Sequence, residues 1–173
     1  LWIHPGRVKR GVNLREELGP VLKPNSSYTL VIDSTLQSAA GLNLTHTVQH
    51  QFRTTEEDFN PPNLKTWLMQ KPLPGSKEPL VVLSPEPLDH ALLQRHVAIQ
   101  DPNGEKVILD VQVNQTEKAW TMIPLRRWEG GQHRLVVTEF LEDLAGNTPT
   151  RIFDTDLSKA PPEFGPTFLE FDL

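Results

Sequence analysis

The sequence contains no cysteine. Disulfides, thiolate nucleophiles and cysteine-ligated zinc are therefore excluded, while the redox compartment stays open. Tyrosine occurs once and methionine twice, and the hydrophobic fraction of the 173 residues is 37%. No apolar run approaches the roughly 18 residues of a membrane-spanning helix, and the opening residues lack the pattern of a secretory signal. The chain begins with Leu1 rather than methionine, so a processed product or a fragment is expected. Basic residues are also few. Seventeen Lys and Arg against 22 Asp and Glu give a formal charge of -5, which opposes generic attraction to nucleic acid or to anionic membranes. The one basic cluster, GRVKRG at residues 6–11, is short and reads as a solvated loop; a processing site in a eukaryotic secretory route is the sharper alternative. There is no G-x-S-x-G elbow, P-loop or G-x-G-x-x-G fingerprint.

Proline, by contrast, is plentiful, with 16 copies beside 10 glycines. Short elements separated by many turns follow from that balance, which suits an all-β protein better than a helical one. A repeat lies within the chain. SYTLVIDSTLQSAAGL from Ser27 aligns without a gap on QHRLVVTEFLEDLAGN from Gln132, placing Tyr28 on His133, Leu30 on Leu135, Ile32 on Val137, Ala40 on Ala145 and Gly41 on Gly146. With insertions the match extends outward, LWIHPGR resembling AWTMIPLRR and QHQFRTTE resembling TRIFDTD. Each copy starts with an alternating strand that buries one face. Each then turns at a glycine, the residue for which positive φ costs least. Asp143 and Asn147 flank the second glycine as side chains that bond nearby amides, so the D-L-A-G-N stretch is expected to be a turn rather than a calcium site.

Between the copies, Leu80 to Leu83 and His96 to Gln100 read as strands, with one helical turn between Leu88 and Gln94. Asp101 to Gly104 (DPNG) signals a hairpin turn. KVILDVQV alternates as one strand, with Val107, Leu109, Val111 and Val113 on one face and Ile108, Asp110 and Gln112 on the other. In AWTMIP, Trp120 and Met122 share a face. Five to seven short strands in about 90 residues is the pattern of a small β-sandwich. The expected organisation is an all-β chain with one complete module, residues 66–156, preceded by the C-terminal half of another, residues 1–57. An acidic, proline-bearing linker spans 58–65, and residues 157–173 form a tail, docked or disordered. The long stretch from Gly6 to Pro20 is expected to be a loop.

The segment from Leu80 to Asp156 resembles the Ig-like modules of bacterial S-layer and other surface proteins. The resemblance is carried by an apolar strand before S-P-E-P-L-D, by A-W-T-M-I-P, by Q-H-R-L-V-V, by D-L-A-G-N and by the closing R-I-F-D-T. The stretch from His4 to Asp33 is similar to the C-terminal half of a related module in exported bacterial proteins. The resemblance implies an Ig-like β-sandwich and an extracellular, cell-surface or periplasmic setting. It also implies a non-catalytic structural or interaction role without cofactor, with other domains of the same chain and protein or polysaccharide of the cell envelope as partners. The alternative is an accessory carbohydrate- or ligand-binding domain of a larger secreted enzyme.

His46 and His50 in THTVQH would share a strand face as a metal pair, but two ligands do not make a site. His133 reads as a half-buried structural residue. Glu86 and Asp89 have the chemistry of an acid and base pair but no evident cleft. Trp120, and Trp2 at the matching place, read as core, whereas Trp67 and Trp128 are freer to line a ligand surface. No catalytic, cofactor-binding or metal residue is assigned. Sequons at Asn25, Asn43 and Asn114 would matter only in a eukaryotic host.

Overall fold

The structure is a computed structural model and describes residues 9, 11, 13–154 and 165–173. It divides into two compact units, Leu1–Asp58 and Phe59–Leu173. Strands and turns dominate both, and among the described residues no helix is long and apolar enough to cross a membrane.

The first unit contains helix α1 (Asn13–Leu18) and an antiparallel pair, β1 (Ser27–Ile32) and β2 (Val48–Arg53). The stretch expected to be a loop thus holds one short helix, which ends at Gly19 (φ +72), whose amide bonds the Arg15 carbonyl at 2.7 Å. A glycine just past the last turn can adopt this left-handed conformation without a Cβ penalty. In β1 the alternation is visible as half-buried Tyr28, Leu30 and Ile32 between exposed neighbours. Tyr28 stacks on Phe52, its cross-strand partner, at 5.7 Å, and its hydroxyl accepts the Lys23 amide at 2.7 Å.

The second unit is built from two four-stranded antiparallel sheets. One has the order β3 (Leu68–Gln70), β4 (Leu80–Leu83), β8 (Ala119–Pro124), β7 (Leu109–Val113). The other runs β10 (Thr167–Asp172), β9 (Gln132–Val137), β5 (Val97–Gln100), β6 (Lys106–Val107). Both send their inward residues into one apolar core that includes Leu80, Val82, Ile99, Trp120, Met122 and Leu135. The period of two seen in the sequence is what places those residues on the inner faces. Helix α2 (His90–His96) joins β4 to β5. Asp89 caps it by accepting the Leu92 amide at 2.8 Å, and Leu93 buries its apolar side. The β5–β6 turn is tied by Asp101, whose Oδ1 accepts the amides of Asn103 (2.9 Å) and Glu105 (2.8 Å), with Gly104 at φ +83.

Three features differ from the sequence reading. KVILDVQV is not one strand: the chain leaves one sheet at Val107 and enters the other at Leu109, with Ile108, 65% exposed, as the crossing residue. Alternation could not reveal this, because Val107 and Leu109 both pack on the core, each from its own sheet. The second difference concerns the linker. Asn63 accepts the Lys65 amide and caps a short 3-10 turn (Leu64–Thr66), and Leu64 is buried in the core, so the second unit begins inside the stretch read as linker. The third lies at the far end, where Thr167–Asp172, read as tail, pairs with β9 and contributes buried Phe171. The expected closing strand at Thr150 does not pair there. Arg151 bonds back to Thr148, and Phe153 tucks against Gly146 with its amide on Asn147 Oδ1 at 2.9 Å. The slot beside β9 is filled instead by β10, whose Thr167, Leu169 and Phe171 point inward. Residues 155 and 156 of the expected strand, the whole of LWIHPGR with Trp2, and most of the basic cluster lie outside the described residues.

The turn bonds of the two units recur 105 residues apart. Gly41 N–H donates to Ser38 O as Gly146 N–H does to Asp143 O, and Ser38 N–H donates to Leu42 O as Asp143 N–H does to Asn147 O. The side chains repeat the pattern: Leu42 N–H bonds Ser38 Oγ at 3.2 Å, and Asn147 N–H bonds Asp143 Oδ1 at 2.9 Å. Both aligned positions also face an aromatic ring, Tyr28 facing Phe52 and His133 facing Phe171, although the second ring comes from β10, outside the aligned repeat.

Candidate functional site

A group of ionisable side chains in the second unit gathers where the β4–α2 loop meets the D-L-A-G-N turn. An isolated bridge between Leu88 and Asp143, and a bond from the Asp89 amide to the Glu142 carbonyl at 2.9 Å, hold the two loops together. Glu86, Asp89, Glu142 and Asp143 are thereby brought to one end of the unit. An oxygen of Glu86 lies within 4.8 Å of one of Asp143.

Their chemistry is already largely committed. Asp143 is buried, and its Oδ1 accepts the amides of Ala145 (2.8 Å) and Asn147 (2.9 Å) while Oδ2 accepts Asn147 Nδ2 (3.0 Å). Three donors from its own turn stabilise the carboxylate where it sits, which is how an aspartate in a tight turn replaces missing backbone partners. Asn147 completes the knot by accepting the Phe153 amide. Asp89 holds the N-terminus of α2, and its helix-capping bond is the common use of aspartate at that position. Glu142 differs. Its carboxyl is pushed above the ordinary value of 4.5, first by desolvation and then by the charges of Asp89 and Asp143, with Arg151 acting in the opposite direction. Two like charges at the rim of a partly buried carboxyl make its ionised form costly.

Glu142 carries no signal in the sequence, because its environment arises from a bridge between segments far apart in the chain. The Glu86 and Asp89 pair was visible, but Asp89 acts as a cap rather than as half of an acid and base pair.

Among the described residues, His46 and His50 belong to no group of three or more converging metal-ligating side chains. His46 precedes β2 rather than lying in it, and its Nδ1 sits 3.0 Å from its neighbour Thr45 Oγ1; exposed His50 stacks on Phe52 at 6.4 Å. His133 is fully rather than half buried. Its ring lies between Trp128 (5.9 Å) and Phe171 (5.5 Å), Nδ1 meets the Gly131 carbonyl at 3.0 Å, and Nε2 has no partner.

The tryptophans correct the sequence reading most clearly. Trp67 and Trp128, expected to be free for a ligand, are 5% and 3% exposed. Trp67 meets Trp120 edge-on at 5.0 Å, and Trp128 Nε1 donates to the Glu78 carbonyl at 2.8 Å. The short 3-10 turn draws Trp67 inward, and two backbone bonds joining Trp128 to Gly75 and Ser76 hold the other ring down. A sugar-stacking platform needs an exposed ring face, and these rings spend theirs on the core. Neither a protein-family model nor a curated protein sequence matches this chain.

Proposed function

We propose that the chain is a non-catalytic structural or interaction segment of an exported or cell-surface bacterial protein, built from Ig-like sandwich modules in tandem. The observation that supports this reading is the recurrence of one strand and the bonds of its following turn, 105 residues apart, in both units. Repetition of a packing motif is what a spacer or adhesion array requires, whereas an active site needs convergent chemical groups in a cleft. The commitment of the Asp143 carboxylate to its own turn supports the same view. In the repeated framework Ser38 occupies the equivalent place, so the position serves the turn with or without a charge.

Three measurements test the proposal. The intact chain is assayed against chromogenic esters, glycosides and phosphate esters, and its thermal melt is recorded in millimolar calcium and in chelator. No turnover and coincident melts are expected; turnover abolished by Glu86→Gln, or a melt raised several degrees by calcium, would overturn the reading, since a ligand that binds only the native state must stabilise it. Envelope placement is tested in the natural host by protease treatment of intact and of permeabilised-envelope cells. Survival of the segment together with a cytosolic marker refutes it.

A further inference from the structure

Asn103, in the β5–β6 turn, is the one asparagine of the sequence that is followed by glycine. Both residues are exposed, and a Cβ built on Gly104 would meet nothing within 4 Å, so open space surrounds the Asn103–Gly104 bond. A main-chain nitrogen can close on the preceding side-chain amide most readily here, because glycine presents no Cβ to hinder the approach. The other asparagines precede Leu, Ser, Pro, Gln or Thr. Asp101 restrains the reaction. Gly104 N–H donates to the Asp101 carbonyl at 2.9 Å, and Asp101 Oδ1 fixes the amides on either side of it, those of Asn103 and Glu105. The nucleophile is therefore held in a turn bond until the turn opens.

We infer that Asn103 is a site of spontaneous deamidation whose rate is set by opening of the Asp101 turn and whose product releases β6 from β5. The co-reactant is water. The Gly104 nitrogen gives up its proton and bonds Asn103 Cγ, the Cγ–Nδ2 bond breaks, and ammonia leaves carrying that proton, which closes a succinimide ring. Water then opens the ring. Rupture of the nitrogen's bond to Cγ gives aspartate, and rupture of its bond to the main-chain carbonyl carbon gives isoaspartate; in either case the new acid releases its proton to solvent. Both products work against the turn. Asn103 Nδ2 donates to Glu129 Oε2 at 3.5 Å, and a carboxylate in its place faces a like charge. Isoaspartate also moves its side-chain methylene into the main chain, so the turn that closes from Gly104 N–H to Asp101 O loses its normal length. β6 is two residues long and pairs with β5 only at Lys106 and Val107, so it has little else to hold it there. The inference does not rest on the tandem-module reading.

The test ages the intact chain in neutral buffer and follows each asparagine by peptide mapping, with enzymatic methylation of isoaspartyl carboxyls to tell the two products apart. Asn103 is expected to convert first and to both products. Its conversion should be slower than in a capped peptide of residues 99–106 (IQDPNGEK) by at least about fivefold, the effect of one hydrogen bond that must break beforehand. Asp101→Ala should raise the rate in the chain by at least about fivefold. Asp101→Asn keeps an acceptor oxygen and precedes proline, which has no N–H to close a succinimide, so it should stay near wild type. In the aged fraction, separated by charge, amide exchange at Asp101 and Val107 should quicken by about tenfold or more while that at Leu135 is unchanged. Conversion of Asn25 or Asn114 ahead of Asn103, aspartate without isoaspartate, or equal rates in chain and peptide would overturn the inference. So would a rate unmoved by Asp101→Ala or raised as much by Asp101→Asn, and so would unchanged exchange at Asp101 and Val107 after conversion.

Discussion

Gly104 and Gly146 share a φ of +83 but not an environment, and that contrast allows the cost of a side chain to be divided into two parts. A Cβ at Gly104 would meet nothing within 4 Å. Gly104→Ala should therefore cost only the backbone preference against the left-handed region, about 1 to 2 kcal/mol. At Gly146 the same atom would lie 3.0 Å from Phe153 Cδ2 and 3.3 Å from Cγ, in a ring anchored by the bond from its own amide to Asn147. Overpacking of this kind adds about 1 to 3 kcal/mol, so Gly146→Ala should cost about 2 to 5 kcal/mol in all, and Gly146→Val more. Urea unfolding followed by tryptophan fluorescence is suited to this unit because Trp67, Trp120 and Trp128 are all buried in it. The midpoint should move without a change in slope, the mark of an effect on stability alone. Repeating both substitutions in a Phe153→Ala background should recover about 1 to 2 kcal/mol at Gly146 and nothing at Gly104, a coupling expected only of residues in contact. Equal costs at the two glycines, or no coupling to Phe153, would refute the claim that the turn closes over that ring.

Asp143→Ala should destabilise by about 2 to 4 kcal/mol in the same assay, since it removes the charged acceptor of the Ala145 and Asn147 amides and of Asn147 Nδ2 in a buried turn; a cost below that of Gly104→Ala would mean that water replaces the carboxylate. His133→Phe should stay within about 1 kcal/mol of wild type while His133→Ala loses about 3 to 5 kcal/mol. The first keeps the ring between Trp128 and Phe171 and removes the partnerless Nε2, and the Gly131 carbonyl retains the Leu173 amide. Glu142→Gln should stabilise at neutral pH. A carboxyl raised above 4.5 in the folded state favours folding at pH below that value and loses this contribution as pH rises through the folded pKa, so the advantage of Gln over Glu should appear on going from pH 4 to pH 7. An advantage that is constant across that range would point to hydrogen bonding rather than charge.

The inner strands of the second unit were legible because burial on one side leaves a period of two: Leu80 and Val82, Val97 and Ile99, Trp120 and Met122, Leu135 and Val137 all point inward. The strand at Thr167 was not. Its outward Phe168 is as apolar as its inward neighbours, and only the structure reveals the Arg134 guanidinium 5.0 Å from that ring's centroid. The Leu68–Gln70 strand has three residues and an exposed leucine, too little pattern to read. At the acidic end, the turn role of Asp143 could be argued from residue type alone, because its partners lie within four residues. Glu142 could not, since its neighbours Asp89 and Arg151 meet it only after folding. The tryptophans were misplaced for the same reason: alternation assigns faces within a strand, and Trp67 and Trp128 lie just outside theirs.

The crossing at Ile108 has a bearing on register fidelity. A strand that slips by two residues keeps its apolar face inward, so burial alone does not forbid the error. Here β6 and β7 are separated by one residue yet belong to different sheets, so a two-residue slip of β7 along β8 would drag β6 along β5 and break the Asp101 turn. Each sheet thereby proofreads the alignment of the other, and misregistered forms that would persist in independent sheets are disfavoured together.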